Sequence, residues 1–105
     1  LRSADWLALP QKAVSRIIGV SEATVSRMQA GRVTLHPGEK PFELAVLFVR
    51  LFRSLDAVVG GDQAAARAWL RVDNLALGGV PLALIQSVTG LVDVVAYLDS
   101  RRALV

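Results

Sequence analysis

Four residues between positions 22 and 27 have the types and spacing needed to contact the edges of DNA bases. On a helix with about 100° per residue they share one arc of the surface, and they are Glu22, Ala23, Ser26 and Arg27. Small side chains let the helix backbone approach a groove closely, while an arginine can donate two hydrogen bonds to a guanine. We therefore predict that this arc belongs to a recognition helix in the major groove.

Two short helices joined by a tight turn, within residues 11–31, would position this arc. An apolar pair marks the inner face of each helix, Val14 with Ile18 in the first and Val25 with Met28 in the second. Gly19 permits the left-handed backbone that ends the first helix, and Ser21 is a favourable N-cap for the next. The pattern is typical of a helix-turn-helix, with an ordinary helical hairpin as the alternative.

The distribution of charge supports DNA binding by this half. Residues 1–40 hold six cations and three acids, whereas residues 41–105 hold six of each, so the net charge of +3 lies entirely in the first segment. Such a segment attracts DNA phosphates; Glu22 departs from this, although its carboxylate can accept a hydrogen bond from cytosine. Gln11 can brace a phosphate or the recognition helix. The residues expected to bind DNA are Gln11, Lys12, Ser21, Glu22, Ala23, Ser26, Arg27 and Arg32.

Catalytic and metal chemistry have few residues to draw on. The chain has no cysteine and one histidine, His36, which lies beside Pro37 in a connector. A Ser–His or Cys–His nucleophile therefore has no suitable base, and no glycine-rich phosphate loop follows a strand. We predict a binding protein and not an enzyme, with no metal site, no cofactor and no small-molecule substrate.

The rest of the chain predicts helices and no strand, so the expected fold class is all-α. A helix-turn-helix half comes first, and a small helical half with a different role follows. The connector Arg32–Pro41 contains two prolines and a glycine and is the expected boundary between domains at residues 1–40 and 41–105. Further helices are expected at Phe42–Val59, at Gln63–Arg71 after the cap Asp62, at Pro81–Ser87, and at Gly90–Arg102 after the cap Thr89.

The helix expected at Phe42–Val59 is apolar around most of its circumference. A helix of this kind is buried on more than one side. One side can pack on its own domain, and the second would bind another copy; a central helix in a monomer is the alternative. The hydrophobic fraction of 53% also leaves apolar surface for a partner. The residues expected at the interface of a homodimer or larger oligomer are Phe48, Leu51, Phe52 and Leu55.

An ordered set of features runs from residue 68 to residue 99. In sequence order it contains Trp69-Leu70, Asn74, Leu77-Gly78-Gly79, Pro81-Leu82 and a capped final helix. This set resembles the toxin-binding domain of the Xre–MbcA–ParS antitoxin family, and the motif at residues 11–31 resembles the helix-turn-helix of Xre and phage-repressor regulators. The resemblance covers nearly the whole chain. It implies an Xre-type antitoxin of the RES–Xre class, whose partners are operator DNA and a RES-domain toxin that consumes NAD⁺.

Two segments of the second half are the expected toxin contacts. One is the loop that carries Asn74, Gly78, Gly79 and Pro81, although these residues can also serve only to shape a helix connection. The other is the C-terminal segment with Asp99, Ser100, Arg101 and Arg102 and the apolar tip Ala103–Val105, although arginines here can also simply complement the helix dipole. The resemblance implies that the C-terminal region masks the active site of the toxin. A dimeric repressor without a toxin partner is the alternative function.

The sequence also leads to expectations about the cellular compartment and the native N-terminus. The most apolar region, residues 42–59, contains four charged residues, and no run reaches the roughly 18 uncharged residues that a membrane span needs. No signal peptide is visible. The absence of cysteine fits the bacterial cytoplasm that the resemblance implies. Because the first residue is Leu1, we expect a longer native N-terminus.

Overall fold

The described part of the chain, residues 1–103 of a computed structural model, consists of seven α-helices and contains no strand. Within residues 1–103, Asn74 and Gly79 form one isolated β-bridge. The helices are α1 Arg2–Trp6, α2 Gln11–Ile18, α3 Glu22–Gln29, α4 Lys40–Val58, α5 Gln63–Arg71, α6 Pro81–Leu84 and α7 Val88–Arg102. The predicted all-α class is confirmed.

Local sequence sets the ends of the two helices in the helix-turn-helix. Helix α2 ends where Gly19 adopts a φ of 73° and its N–H donates to the Ser15 carbonyl at 2.9 Å. Helix α3 begins where the Ser21 Oγ accepts a hydrogen bond from the Thr24 N–H at 3.0 Å. The predicted inner residues Val14, Ile18 and Val25 are buried.

The beginning of α7 differs from the prediction. The N-cap is Ser87 and not Thr89, because the Ser87 Oγ accepts a hydrogen bond from the Gly90 N–H at 3.1 Å. Helix α7 therefore begins at Val88, and α6 ends at Leu84, three residues before its predicted end. A side chain caps a helix best when it reaches the N–H three residues on, and Ser87 and Gly90 have this spacing.

Helix α4 lies between α2 and α7 and packs most extensively on α7. This position corrects the predicted dimer interface, because three of its four residues are at most 1% exposed inside one chain: Phe48, Leu51 and Leu55. Phe52, the fourth, is half-buried with its ring edge-to-face on Trp6, at a centroid distance of 5.3 Å. The apolar circumference of α4 is thus largely covered by other helices of its own chain.

Helix α5 fastens the second half to the first. The Arg67 Nε and the Gln63 Nε2 donate to the Trp6 carbonyl at 2.9 and 3.1 Å. Arg71 donates to the Ala8 carbonyl at 2.9 Å and to the Leu7 carbonyl at 3.2 Å. These carbonyls end α1, where arginine side chains commonly satisfy free backbone acceptors. The buried side chains of α4 belong to one hydrophobic core that runs from Ala4 to Leu98. This core and the contacts of α5 together hold the two halves against each other.

Candidate nucleic-acid and partner-binding surfaces

The predicted recognition arc lies on the outer face of α3. All four of its residues are exposed, Glu22, Ala23, Ser26 and Arg27, whereas Val25 on the opposite face is 2% exposed. An exposed arc of short side chains with one arginine meets the steric requirement for a helix that enters the major groove.

A chain of hydrogen bonds holds the arginine of this arc. Arg27 Nη2 donates to Thr24 Oγ1 at 3.1 Å, and Thr24 Oγ1 lies 2.9 Å from Ser21 Oγ. The guanidinium is thereby drawn along the outer face of α3, which reduces the rotamer freedom that it would lose on binding a base. Thr24 was missed as a positioning residue, although its spacing of three residues from both Ser21 and Arg27 signals the contacts.

Gln11 supports the recognition helix from the start of α2. Its Nε2 donates to Gln29 Oε1 at 2.7 Å, which ties the first turn of α2 to the last turn of α3. Bracing of the recognition helix was one of the two roles predicted for Gln11. Gln29 was missed because it lies 18 residues away in sequence. The remaining predicted DNA contacts, Lys12, Ser21 and Arg32, are also exposed.

The residues predicted in the loop between α5 and α6 mainly build the loop itself. Asn74 Oδ1 accepts a hydrogen bond from the Leu77 N–H at 3.1 Å, and the Asn74 N–H donates to the Gly79 carbonyl at 2.9 Å. Gly78 has a φ of 78°, which favours glycine. Pro81 is under 2% exposed, which corrects its prediction as a toxin contact, because a buried ring cannot meet a partner.

Four large apolar side chains of the second half face solvent and were not among the predicted contacts. Leu75, in the loop that Asn74 closes, is 93% exposed, and Val72 before it is 62% exposed. Val88 and Val92 are four residues apart on one face of α7 and are also exposed. We call Val72, Leu75, Val88 and Val92 the outer apolar residues. Sequence alone did not reveal them, because apolar type does not distinguish an exposed side chain from a buried one.

Asp99 anchors the end of α7, and because 29% of its side chain is exposed, its role as a toxin contact stays a prediction. Its Oδ1 accepts a hydrogen bond from Ser54 Oγ at 2.7 Å, and its Oδ2 forms an ion pair with Arg50. The Ser54 hydrogen bond first, and then the Arg50 guanidinium, hold the pKa of the Asp99 carboxyl below its usual value, against the opposing effect of burial. Ser100, Arg101 and Arg102 beyond it are exposed.

We expect Asp99→Ala to lower the free energy of unfolding by about 1–3 kcal/mol, because it leaves the fully buried Ser54 hydroxyl without a partner. Urea denaturation at pH 7 measures this, with Asp93→Ala, an exposed acid of the same helix, as the matched control. The folded pKa of Asp99 is lowered from 3.8, so its stabilisation is present above pH 4 and is lost as the pH falls through the folded pKa. Equal losses for both variants at pH 7 would contradict the prediction.

The part of the chain that the structure describes contains no group of three or more His, Cys, Asp or Glu side chains able to hold a metal ion. His36 is exposed in the connector before α4.

Among residues 1–103, no helix is both long enough and apolar enough to cross a membrane. The predicted C-terminal contact also included an apolar tip, of which Leu104 and Val105 lie outside the described residues.

The fold and its exposed α3 arc define an all-α helix-turn-helix protein with a second helical half. Residues 1–50 match the family model described as the antitoxin Xre-like helix-turn-helix domain. Residues 54–103 match the one described as the antitoxin Xre/MbcA/ParS C-terminal toxin-binding domain. A comparison with curated proteins gave no match. Together the two family matches support an Xre-type antitoxin, as the sequence resemblance implied, and neither describes an enzyme.

Proposed function

We propose that this chain is the antitoxin of a RES–Xre pair. It binds a RES-domain toxin directly, covers the site where the toxin consumes NAD⁺, and represses its own operon as a dimer on operator DNA in the bacterial cytoplasm. The observation that carries the proposal is that one chain presents two separate exposed surfaces. An exposed recognition arc lies on α3, and the half that matches a toxin-binding domain exposes Leu75 at 93%.

Inhibition in this proposal is steric. The outer apolar residues supply area that a partner can bury, since burial of apolar surface is the main source of affinity in protein complexes. Arg101 and Arg102 extend from the anchored end of α7 and would pair with an acidic group of the toxin. The antitoxin then needs no catalytic residue, because an occupied cleft cannot admit NAD⁺.

Reconstitution with the product of the neighbouring gene tests this function. The two proteins should co-purify, and a stoichiometric amount of antitoxin should stop NAD⁺ consumption by the toxin. A RES-domain protein that consumes NAD⁺ at an unchanged rate in the presence of excess antitoxin would overturn the proposal. Operator binding without any toxin partner would instead support the stand-alone repressor.

Operator recognition makes a separate prediction. We expect Arg27→Ala to weaken specific DNA binding by about 1–3 kcal/mol, because a lost bidentate contact to a base costs about that much. Lys12→Ala serves as the comparison, since loss of a phosphate contact weakens binding to all sequences about equally. Gel-shift titrations on the promoter of the gene and on scrambled DNA measure both variants. A wild-type protein with no preference for the promoter would contradict the prediction.

A further inference from the structure

One face of α4 remains open to solvent, and its charges are ordered along the helix. At 100° per residue, six side chains fall within an arc of about 120°: Phe42, Glu43, Val46, Val49, Arg50 and Arg53. We call this arc the α4 stripe. It is acidic near the beginning of the helix at Glu43, apolar in the middle, and basic at Arg50 and Arg53. Val46, in the apolar middle, is 53% exposed.

An apolar groove of about 740 Å³ runs along the stripe. Its opposite wall comes from the end of α3 and the connector, with Met28, Val33 and Leu35, while Arg102 joins the arginines at the basic end. The groove is thus lined by hydrophobic side chains over most of its length and has cations at one end only. Its occupant should be apolar in the middle and acidic where it meets the arginines.

We infer that the occupant is the α4 stripe of a second copy, packed antiparallel across a two-fold axis. In that orientation Glu43 of each copy faces Arg50 and Arg53 of the other, and the exposed Val46 side chains meet near the axis. A two-fold interface uses the same surface on both subunits and must complement itself. The stripe has this property only when antiparallel, because a parallel arrangement would place like charges together.

Existing contacts leave Glu43 and Arg53 able to make this exchange, whereas Arg50 is already paired with Asp99. Glu43 pairs at 3.2 Å with Lys40, but both side chains are more than half exposed, and such pairs contribute little. Within residues 1–103, Arg53 takes part in no ion pair. Helix α4 has 19 residues and is therefore roughly 28 Å long, which gives the stripe enough length to form the centre of an interface. A small anion would use the arginines alone and would leave Val46 uncovered.

This inference rests on the proposed dimer and names its surface, in place of the buried residues Phe48, Leu51 and Leu55. Its test is a pair of charge reversals studied by sedimentation. Glu43→Arg and Arg53→Glu should each weaken dimerisation by about tenfold or more, because each puts like charges opposite one another. An equimolar mixture of the two variants should dimerise again as a heterodimer. The double variant with both changes in one chain should also dimerise.

Control variants distinguish a wrong assignment of the interface from the absence of a dimer. Val46→Asp should give a monomer, whereas Val92→Asp, which adds the same charge at a 47% exposed valine of α7, should remain a dimer. The side chains replaced in these variants, Glu43, Val46, Arg53 and Val92, are all exposed. Circular dichroism checks that each variant is still helical. A monomeric wild-type protein would refute the proposed dimer itself. If the wild type is a dimer and Val46→Asp remains a dimer, or loses only toxin binding, the α4 stripe is not the interface. The proposed dimer would then still hold, with a different interface.

Discussion

Replacement of Gly90 by alanine is expected to destabilise the fold by about 3 kcal/mol, the upper end of what overpacking usually costs. A Cβ atom at this position would lie 1.8 Å from the Leu84 carbonyl oxygen and 2.6 Å from its carbon. Both atoms belong to the backbone that ends α6, so no side chain can rotate away, and the first turn of α7 would have to move. The better helix propensity of alanine, worth about 1 kcal/mol, opposes the loss without cancelling it.

Urea denaturation followed by circular dichroism measures this effect. Thr89→Ala is the matched control, because Thr89 is the exposed neighbour in the same turn and makes no cap, so its change should stay within about 0.5 kcal/mol. If Gly90→Ala unfolds at the same urea concentration as the wild type, α6 and α7 do not approach as closely as the structure shows.

Gly90 also shows what the sequence could not reveal. It was assigned only as the first residue of a helix, since its role depends on a carbonyl of another helix. Helix α5, by contrast, was predicted with its correct ends, because the cap Asp62 and the apolar spacing are both local. The recognition arc on α3 was predicted for the same reason: one helical repeat fixes which of its residues share a face.

Contacts between distant parts of the chain account for the remaining errors. The periodicity of α4 shows that it is apolar on several sides, but not that α2 and α7 cover the side with Phe48 and Leu51. The contacts of Arg67 and Arg71 were not predicted, because their acceptors lie more than 60 residues away in sequence. The anchoring of Asp99 was not predicted, because its partner Ser54 is 45 residues distant. Helical spacing contains no information about such partners.

Toxin binding and toxin inhibition should separate into two surfaces at opposite ends of α7, under the proposed function. Val88 and Val92 lie at the beginning of the helix, and Arg101 and Arg102 lie at its end, roughly 14–21 Å away along the helix axis. The outer apolar residues have the exposed hydrophobic area that affinity requires, whereas the C-terminal segment is small and charged. We therefore expect the first surface to hold the toxin and the second to block its cleft.

Leu75→Asp tests the first surface. A carboxylate in a desolvated apolar contact should weaken toxin binding by about 2 kcal/mol, or roughly thirtyfold in Kd. The fold should not change, because Leu75 is 93% exposed. Ala64→Asp, which adds the same charge at an exposed position of α5, should leave the affinity unchanged. Titration calorimetry with the toxin measures both, and equal affinities for the two variants would contradict a role for Leu75.

Deletion of residues 100–105 tests the second surface and should abolish inhibition. The cut leaves Asp99 bonded to Ser54 and Arg50, so α7 stays anchored on α4 up to that residue. The truncated protein should still bind the toxin and the operator, while NAD⁺ consumption by the bound toxin continues near its uninhibited rate. Reversal of both charges, with Arg101→Glu and Arg102→Glu, keeps the bulk of the segment and shows whether charge is needed as well. If the truncated protein inhibits as well as the full chain, the arginines only complement the helix dipole, and the blocking contact must lie in the loop around Leu75.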